Sequence, residues 1–332
     1  MKLHILDPYI QEFINSQINS SASDLMLKAS SYPEWDMKAI VQQLVGKQIA
    51  KKKLPTWFQN NEVLYPVRLS MEQCSSEATA KYKTTIINSG RGIDLTGGFG
   101  VDTIFLSKKC ESLIYCERNE DLASLVTHNF KALNQHNCDI YVGNGVEYLK
   151  NLKKIDWIYV DPSRRKESQR IYRLEDCEPN VIDLIGLFFD KAENVLIKTA
   201  PLLDIQQTLR DLKSVKEVHV IAVNNDCKEV LYLLEKDFTG ETQIFCVNLK
   251  KEHKEEFRFT LSEEREALSL YSEPIEYIYE ANAAIMKAGA FKSIASKHGL
   301  YKLHKHSHLY TSKKFISEFP GRSFKIKEVL NP

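Results

Sequence analysis

A glycine-rich turn between a short apolar strand and a helix most strongly constrains how this chain folds. It occupies residues 93–102, and its glycines follow the order G-G-x-G rather than G-x-G-x-x-G. In a doubly wound α/β sheet such a turn stands at the carboxyl end of the first strand, where backbone N–H groups meet a cofactor. Glycine lets the ligand approach the backbone closely. The sequence therefore predicts a cofactor site here, and a glycine turn without a ligand is the alternative.

The charge beside this turn narrows the class of cofactor. Asp94 precedes the first glycine by three positions, and a carboxylate there repels the pyrophosphate of a dinucleotide. S-adenosylmethionine carries a sulfonium and an ammonium and no phosphate, so Asp94 favours it over NAD. Glu117 ends the second predicted strand, where a carboxylate accepts hydrogen bonds from ribose hydroxyls. Asn144 follows the third predicted strand, where the adenine edge would be read.

Short apolar strands alternate with helix-like stretches from Gly92 onward, which is typical of a parallel α/β sheet. The polar link 224–229 predicts a hairpin, so we expect the sheet to end in an antiparallel strand. The predicted strands are residues 92–95, 112–117, 138–142, 156–160, 194–198, 217–223 and 230–235, with 243–249 as a further candidate.

The 332 residues suffice for two or three domains. We predict an N-terminal helical domain over residues 1–70, the α/β domain over 71–250 and a small module over 251–332, ferredoxin-like or part of a THUMP-like region. Residues 255–268 are charged and predicted to connect the last two. Residues 276–288 are predicted to be helical, residues 291–297 to form a helix that stops near Gly299, and short strands to follow around Leu309 and Phe324.

Charge is balanced over the whole chain and strongly uneven along it. The net charge is +1, yet from Ala281 to the end ten Lys or Arg oppose two Glu, a local net charge of +8. Such a basic region favours a nucleic acid as partner. Seven scattered cysteines without a C-x-x-C pair favour a reducing cytoplasm. Since no long apolar run is present, we expect no membrane segment.

The segment 155–165 carries the second strong signal, an apolar strand that ends in Asp161-Pro162. The fourth strand of a doubly wound sheet ends beside the ligand crevice. Pro162 fixes the chain direction, so Asp161 and nearby carbonyls can accept hydrogen bonds from a substrate amine and orient its lone pair. Asp161 is also a candidate to receive the proton. The alternative is that Asp161 only caps the following segment.

Basic and histidine-rich stretches provide further candidates. A dense basic run just past this strand could contact phosphates or could be a solvated loop. Residues 303–308 would place three histidines on one face if extended, but no fourth ligand is evident, so we expect no metal.

Three motifs together resemble class I S-adenosylmethionine-dependent methyltransferases: D-x-T-G-G-x-G-x-D at 94–102, Glu117-Arg118-Asn119, and Asp161-Pro162-Ser163-Arg164-Arg165. The closer resemblance is to a bacterial group of THUMP-like-domain methyltransferases, through residues 72–80, 283–291 and 308–312. It implies a Rossmann-like sheet of parallel strands with an antiparallel terminal hairpin, S-adenosylmethionine as cofactor and RNA, ribosomal or transfer, as substrate. We expect relatives to continue beyond residues 319–322. Amino-methyltransferases of this class carry Asp/Asn-Pro-Pro-aromatic, whereas Ser163 and Arg164 stand at the last two positions here.

These observations predict a cytoplasmic methyltransferase that acts on RNA, at a base nitrogen. A catalytically silent RNA-binding protein, a NAD-dependent oxidoreductase and a small-molecule methyltransferase are the alternatives, and the sequence does not specify the oligomeric state. The predicted cofactor-binding residues are Asp94, Thr96, Gly97, Gly98, Gly100, Asp102, Glu117, Arg118 and Asn144. The predicted catalytic residues are Asp161, Pro162 and Ser163. The predicted substrate-binding residues are Arg164, Arg165, Lys287 and Lys292.

Overall fold

The computed structural model describes residues 3–164 and 173–330. The chain forms two compact units, the first made of Met1–Asp161 with Asp190–Ala192 and the second of Pro162–Phe189 with Glu193–Pro332. Within the described ranges, no helix combines the length and the apolar composition needed to cross a lipid bilayer.

The first unit starts with helices and continues as alternating strands and helices. Asp7 caps the first of these helices and Asp36 caps the long third one, each through a carboxylate that accepts a backbone N–H. The helices are α1 (Pro8–Ser16), α2 (Ala22–Leu27), α3 (Met37–Lys53), α4 (Pro55–Phe58), α5 (Arg68–Gln73), α6 (Glu77–Lys83), α7 (Val101–Ser107), α8 (Glu120–Ala132) and α9 (Gly145–Asn151). The strands are β1 (Arg91–Asp94), β2 (Ser112–Glu117), β3 (Cys138–Val142) and β4 (Ile155–Val160).

All four strands of this unit are parallel, in the order β4-β1-β2-β3. The chain runs outward from β1 to β3 and returns on the other side of β1 as β4. The carboxyl ends of β1 and β4 therefore flank a topological switch point, which is where ligands bind in sheets of this kind. The four strands predicted from the sequence are confirmed, with bounds that differ by one residue at most.

The N-terminal helices share one hydrophobic core with α7 and α8. Trp57 is buried and meets Phe99 edge to face, with 4.8 Å between the ring centroids. Phe99 belongs to the glycine turn, so this contact supports the turn from behind. The domain boundary at residue 70 stays a prediction.

The second unit contains more strands than the sequence predicts. Two elements, α10 and β7, are assigned to it because most of their residues belong there. Its helices are α10 (Val181–Lys191), α11 (Ile205–Asp211), α12 (Leu261–Glu266), α13 (Ala283–Ala288) and α14 (Ser293–His298). Its strands are β5 (Ser163–Arg164), β6 (Cys177–Glu178), β7 (Ala192–Thr199), β8 (Val215–Val223), β9 (Asp226–Glu235), β10 (Gln243–Leu249), β11 (Lys254–Phe259), β12 (Tyr277–Ala281), β13 (Tyr301–Lys302), β14 (Leu309–Ser312) and β15 (Gly321–Lys325).

The predicted hairpin is confirmed, and its turn is shorter than the polar link. Strands β8 and β9 pair antiparallel up to Val223 and Asp226. Asn224 and Asn225 make the turn with φ of 50° and 65°, a left-handed conformation that asparagine tolerates.

The sheet extends past the hairpin, and one prediction about this part of the chain is wrong. The strand order in this unit is β7-β9-β8-β10-β11, so the further candidate strand, residues 243–249, is confirmed as β10. Residues 255–268, predicted to be a connector, contain β11, which pairs antiparallel with β10, and the short helix α12. Strand β11 buries Phe257 and Phe259 and carries charged residues before and between them, a pattern suited to an edge strand.

The C-terminal residues form a separate antiparallel sheet in the order β13-β14-β12-β15. The predicted helix over 276–288 is wrong in its first half, because residues 277–281 are strand β12. Asn282 then caps α13 by accepting two backbone N–H groups. The second helix, α14, ends at Gly299 with φ of 62°, as predicted. The two predicted short strands are β14 and β15.

Candidate functional site

The carboxyl of Asp94, at the end of β1, lies behind the glycine turn and is 1 % exposed. Its two oxygens accept hydrogen bonds from the Thr96 amide (3.0 Å) and from the Thr103 hydroxyl (2.6 Å). Burial raises the pKa of Asp94 to about 7, although both hydrogen bonds oppose that shift. These two hydrogen bonds fix the shape of the turn, and a role of Asp94 toward a cofactor stays a prediction.

The turn itself brings Gly97, Gly98 and Glu117 together. A side chain at Gly97 would place its Cβ 2.1 Å from the Tyr115 ring, so only glycine fits against β2. Gly98 has φ of 53°, and a Cβ there would have only the Thr96 carbonyl oxygen nearby, at 3.8 Å, which leaves room for a ligand to approach. The Gly98 amide donates to Oε2 of Glu117 over 3.0 Å. The turn and the predicted ribose-binding carboxylate thus lie side by side.

Other predicted cofactor residues lie around the same edge of the sheet. Asn119 and Asn144 cap α8 and α9 with their side-chain oxygens. The Gly143 amide donates to the Glu117 carbonyl, which brings the loop after β3 next to β2. Arg118 is exposed beside Glu117. The roles of Arg118 and Asn144 toward a cofactor stay predictions.

A hydrogen bond across the switch point connects the glycine turn with Asp161, the residue that follows β4. The Asp161 backbone amide donates to the Thr96 hydroxyl oxygen over 2.7 Å. Next to it, the Leu95 amide donates to the Tyr159 carbonyl. The carboxyl end of β4 is therefore held against the glycine turn, and a half-buried Asp161 follows it. Sequence reasoning included Thr96 as a cofactor residue and missed this second contact.

Pro162 and Ser163 follow Asp161 directly and begin the second unit. Ser163 is exposed, and its hydroxyl donates to the Glu178 carbonyl over 3.4 Å. Arg164 pairs with Cys177 through the short strands β5 and β6. Arg165, the other arginine predicted to bind substrate, lies outside the described residues.

Asp102, a predicted cofactor residue, lies in a buried polar network. Its Oδ1 is 3.0 Å from the Lys83 ammonium, which is fully buried, and its Oδ2 accepts from the Ser75 and Tyr159 hydroxyls over 2.7 Å each. The Lys83 ammonium also donates to Ser75 Oγ over 3.0 Å. The network connects α6, α7 and β4, and so explains Ser75 in the motif 72–80. Sequence reasoning missed Lys83 and Tyr159; Tyr159 could have been found because it lies on the strand that ends at Asp161.

The two predicted substrate lysines belong to the second unit. The Lys287 ammonium donates to the Leu203 carbonyl over 2.9 Å and the Lys292 ammonium to the Arg265 carbonyl over 2.7 Å. Their contact with a substrate stays a prediction. The histidine-rich stretch forms a turn and not an extended strand. In the part of the chain that the structure describes, no cluster of three or more His, Cys, Asp or Glu could hold a metal ion.

Comparison with known proteins found one match to the C-terminal part of the chain and one to almost the whole chain. Residues 277–320 match a ferredoxin-like domain family. The chain superimposes with a TM-score of 0.87 on the crystal structure of a provisionally assigned methyltransferase from Porphyromonas gingivalis W83, at 36 % identity. That superposition covers 99 % of this chain and 83 % of the other. No curated protein matches the sequence.

The architecture is thus that of a class I methyltransferase, joined to a separate antiparallel sheet of four strands. At this identity and coverage, the chain belongs to the family of the Porphyromonas gingivalis protein.

Two weaker likenesses each cover about half of the chain. TrmK of M. capricolum, solved with S-adenosylhomocysteine, shows a TM-score of 0.38 at 15 % identity over 48 % of this chain and 68 % of its own. A rRNA methylase from Streptococcus thermophilus shows a TM-score of 0.33 at 15 % identity over 48 % of this chain and 93 % of its own. Likenesses this weak do not bear on the chemistry of this chain.

The raised pKa of Asp94 predicts a pH-dependent stability. The folded-state pKa of about 7 lies above the value of about 3.9 in an unfolded chain, so the neutral carboxyl stabilises the fold fully below about pH 4. That stabilisation is lost as pH rises through 7. The side chain of Asp94→Asn does not titrate. The free energy of unfolding of the variant minus that of the wild type should therefore rise between pH 4 and pH 8, by at most about 4 kcal/mol. Urea unfolding at both pH values measures this difference, and an equal gap at both would contradict it.

The buried ion pair predicts a large loss of stability when only one partner is removed. Lys83→Met leaves the Asp102 carboxylate buried without its cation, which should lower the free energy of unfolding by about 3–5 kcal/mol. The double variant Lys83→Met/Asp102→Asn should recover most of that loss. Lys150→Met, which removes an exposed pair with Glu147, should change it by less than about 1 kcal/mol. A Lys83→Met variant as stable as the wild type in urea would show that the pair is not coupled.

Proposed function

We propose that this protein transfers a methyl group from S-adenosylmethionine to RNA, at a base nitrogen. The observation that carries the proposal is the hydrogen bond from the Asp161 amide to Thr96, because it joins the candidate acceptor residue to the candidate cofactor turn. The acidic character of the corner supports a cationic cofactor over a dinucleotide. Family membership supports the reaction class.

The residues of this corner have distinct roles in the proposal. Glu117 accepts hydrogen bonds from the ribose hydroxyls, and Asp94 supplies negative charge. Gly98 leaves room for the cofactor beside the backbone, while Gly97 and Gly100 let the turn pack closely on Tyr115 and Phe130. Thr96, Asp102, Arg118 and Asn144 complete the predicted set, with Asp102 acting through the buried network that holds α7 against β4. S-adenosylmethionine, when bound, supplies an electrophilic methyl group.

At the acceptor side, Asp161 accepts a hydrogen bond from the substrate amine and so orients it. After the methyl transfer, Asp161 takes up the proton of the amine. Pro162 and Ser163 shape the end of the strand, and Arg164 and Arg165 contact substrate phosphates. Ser163 and Arg164 replace the Pro and the aromatic residue of amino-methyltransferases, so the base is held here without that stacking partner.

The domain layout and setting are part of the same proposal. The chain comprises a helical domain over residues 1–70, the methyltransferase domain over 71–250 and a basic module over 251–332, and it belongs with the THUMP-like-domain methyltransferases. It acts in the cytoplasm on ribosomal or transfer RNA. The local net charge of +8 after Ala281 supports RNA as substrate.

Methyl transfer to RNA with an Asp161 variant tests the reaction. RNA from cells that lack the gene, incubated with the protein and radiolabelled S-adenosylmethionine, should gain one methylated nucleoside. Asp161→Ala should lower kcat by about 100-fold or more, because it removes the acceptor of the substrate proton. Cofactor affinity should stay within about twofold, since the contact to Thr96 uses the backbone amide.

The exposed Glu147→Ala is the matched control and should leave kcat unchanged. Methylation that survives Asp161→Ala would remove that residue from the reaction. Cofactor binding without any transfer to RNA would favour a catalytically silent RNA-binding protein or another acceptor.

A further inference from the structure

One face of the C-terminal four-stranded sheet carries an aromatic side chain at each end of a single row. The strand register aligns Tyr301, Thr311, Ile278 and Phe324 across β13, β14, β12 and β15. Tyr301 is 38 % exposed and Phe324 is 50 % exposed. Between them, Thr311 is buried. We call this side the outer face.

The other side of the sheet is packed. Tyr279 and Tyr310 alternate with the outer-face positions along β12 and β14, and both are fully buried. The Tyr279 ring lies 5.0 Å from that of Phe319. The exposed rings of Tyr301 and Phe324 are therefore not part of this core.

A charged cluster adjoins the aromatic row. Strand pairing aligns Leu309, Glu280 and Arg322. The Arg322 guanidinium lies 5.9 Å from the centroid of the Phe324 ring and also pairs with Glu280. An arginine beside an exposed aromatic ring can contact a phosphate while the ring stacks on a base.

Positive charge is concentrated at one end of this sheet. Tyr277, at the start of β12, pairs with both Ser312 and Lys325, so Lys313 and Lys314 follow β14 at that end, whereas Lys325 belongs to the row of the packed side. All three are exposed, and none forms an ion pair with a residue in the described ranges. By contrast, the lysines of the adjoining helices already bond to the chain: Lys287, Lys292 and Lys297 each donate to a backbone carbonyl.

We propose that the outer face binds single-stranded RNA, whose bases stack on Phe324 and Tyr301 and whose phosphates contact Arg322, Lys313 and Lys314. This inference rests on RNA as the partner in the proposed function and places the docking surface on the sheet rather than on the helices with Lys287 and Lys292. Base stacking on exposed rings beside a basic edge is how sequence-tolerant single-strand binders work. A duplex offers no unstacked base to these rings, so it should bind more weakly.

Fluorescence anisotropy with the full chain tests this surface. The probes are a labelled 12-mer of uridine and a duplex RNA of the same length. Phe324→Ala should weaken binding of the single strand by about 5- to 100-fold, and Tyr301→Ala should weaken it in the same sense. Phe324→Tyr keeps the ring and should stay within about twofold of the wild type. Tyr9→Ala removes a ring that is 79 % exposed in the first unit and should have no effect.

Salt dependence tests the lysines separately. Lys313→Gln/Lys314→Gln should reduce the slope of log Kd against log salt by about 0.7 for each phosphate that the variant no longer neutralises. A slope equal to that of the wild type would remove these two lysines from the surface. Circular dichroism and S-adenosylmethionine affinity of each variant should match the wild type, because the exchanged side chains are exposed.

Three outcomes would overturn the inference in distinguishable ways. RNA binding that is unchanged by Phe324→Ala and Tyr301→Ala would show that the outer face does not bind RNA. RNA would then remain the proposed substrate. Equal affinity for the single strand and the duplex would indicate that binding depends on charge alone, without stacking of bases on the rings. A wild-type protein that binds S-adenosylmethionine but neither RNA would overturn both the surface and the proposed substrate, while the cofactor assignment would stand.

Discussion

The burial of the Asp94 carboxyl fixes the path of the chain at the candidate site. A buried carboxyl without partners is costly, and the Thr96 amide and the Thr103 hydroxyl are the donors that satisfy it. Those bonds hold Thr96 where its own hydroxyl can accept the Asp161 amide. The buried Asp94 carboxyl thus holds the turn, the start of α7 and, through Thr96, the carboxyl end of β4.

Much of the α/β core could be predicted from sequence because its signals are local. Strands β1 to β4 alternate with helices at regular spacing, and Asp94, Glu117 and Asp161 follow strand ends that the topology brings to one edge. Strand β11 was missed because an edge strand tolerates charge, and its charged residues indicated a linker. Strand β12 was missed because no glycine or proline separates residues 277–281 from helix α13, so the two segments were predicted as one helix.

The partners of the site residues could not be predicted in the same way. Lys83 meets Asp102 across 19 positions of sequence, and the Ser75 and Tyr159 hydroxyls reach the same carboxylate from other elements. Such contacts depend on how helices pack on the sheet, which no local pattern records. The same holds for Tyr301 and Phe324, which share a row only through the strand register.

We propose that the acidic glycine turn selects the cofactor, and calorimetric titration tests this selection most directly. At pH 8, where Asp94 is ionised, the wild-type protein should bind S-adenosylmethionine and should not bind NAD. Asp94→Asn, which keeps the shape of the side chain and removes its charge, should bind S-adenosylmethionine more weakly by a clear factor. Two results would contradict selection of the cofactor by Asp94. One is binding of NAD but not of S-adenosylmethionine, and the other is equal affinity of the wild type and the Asp94→Asn variant for S-adenosylmethionine.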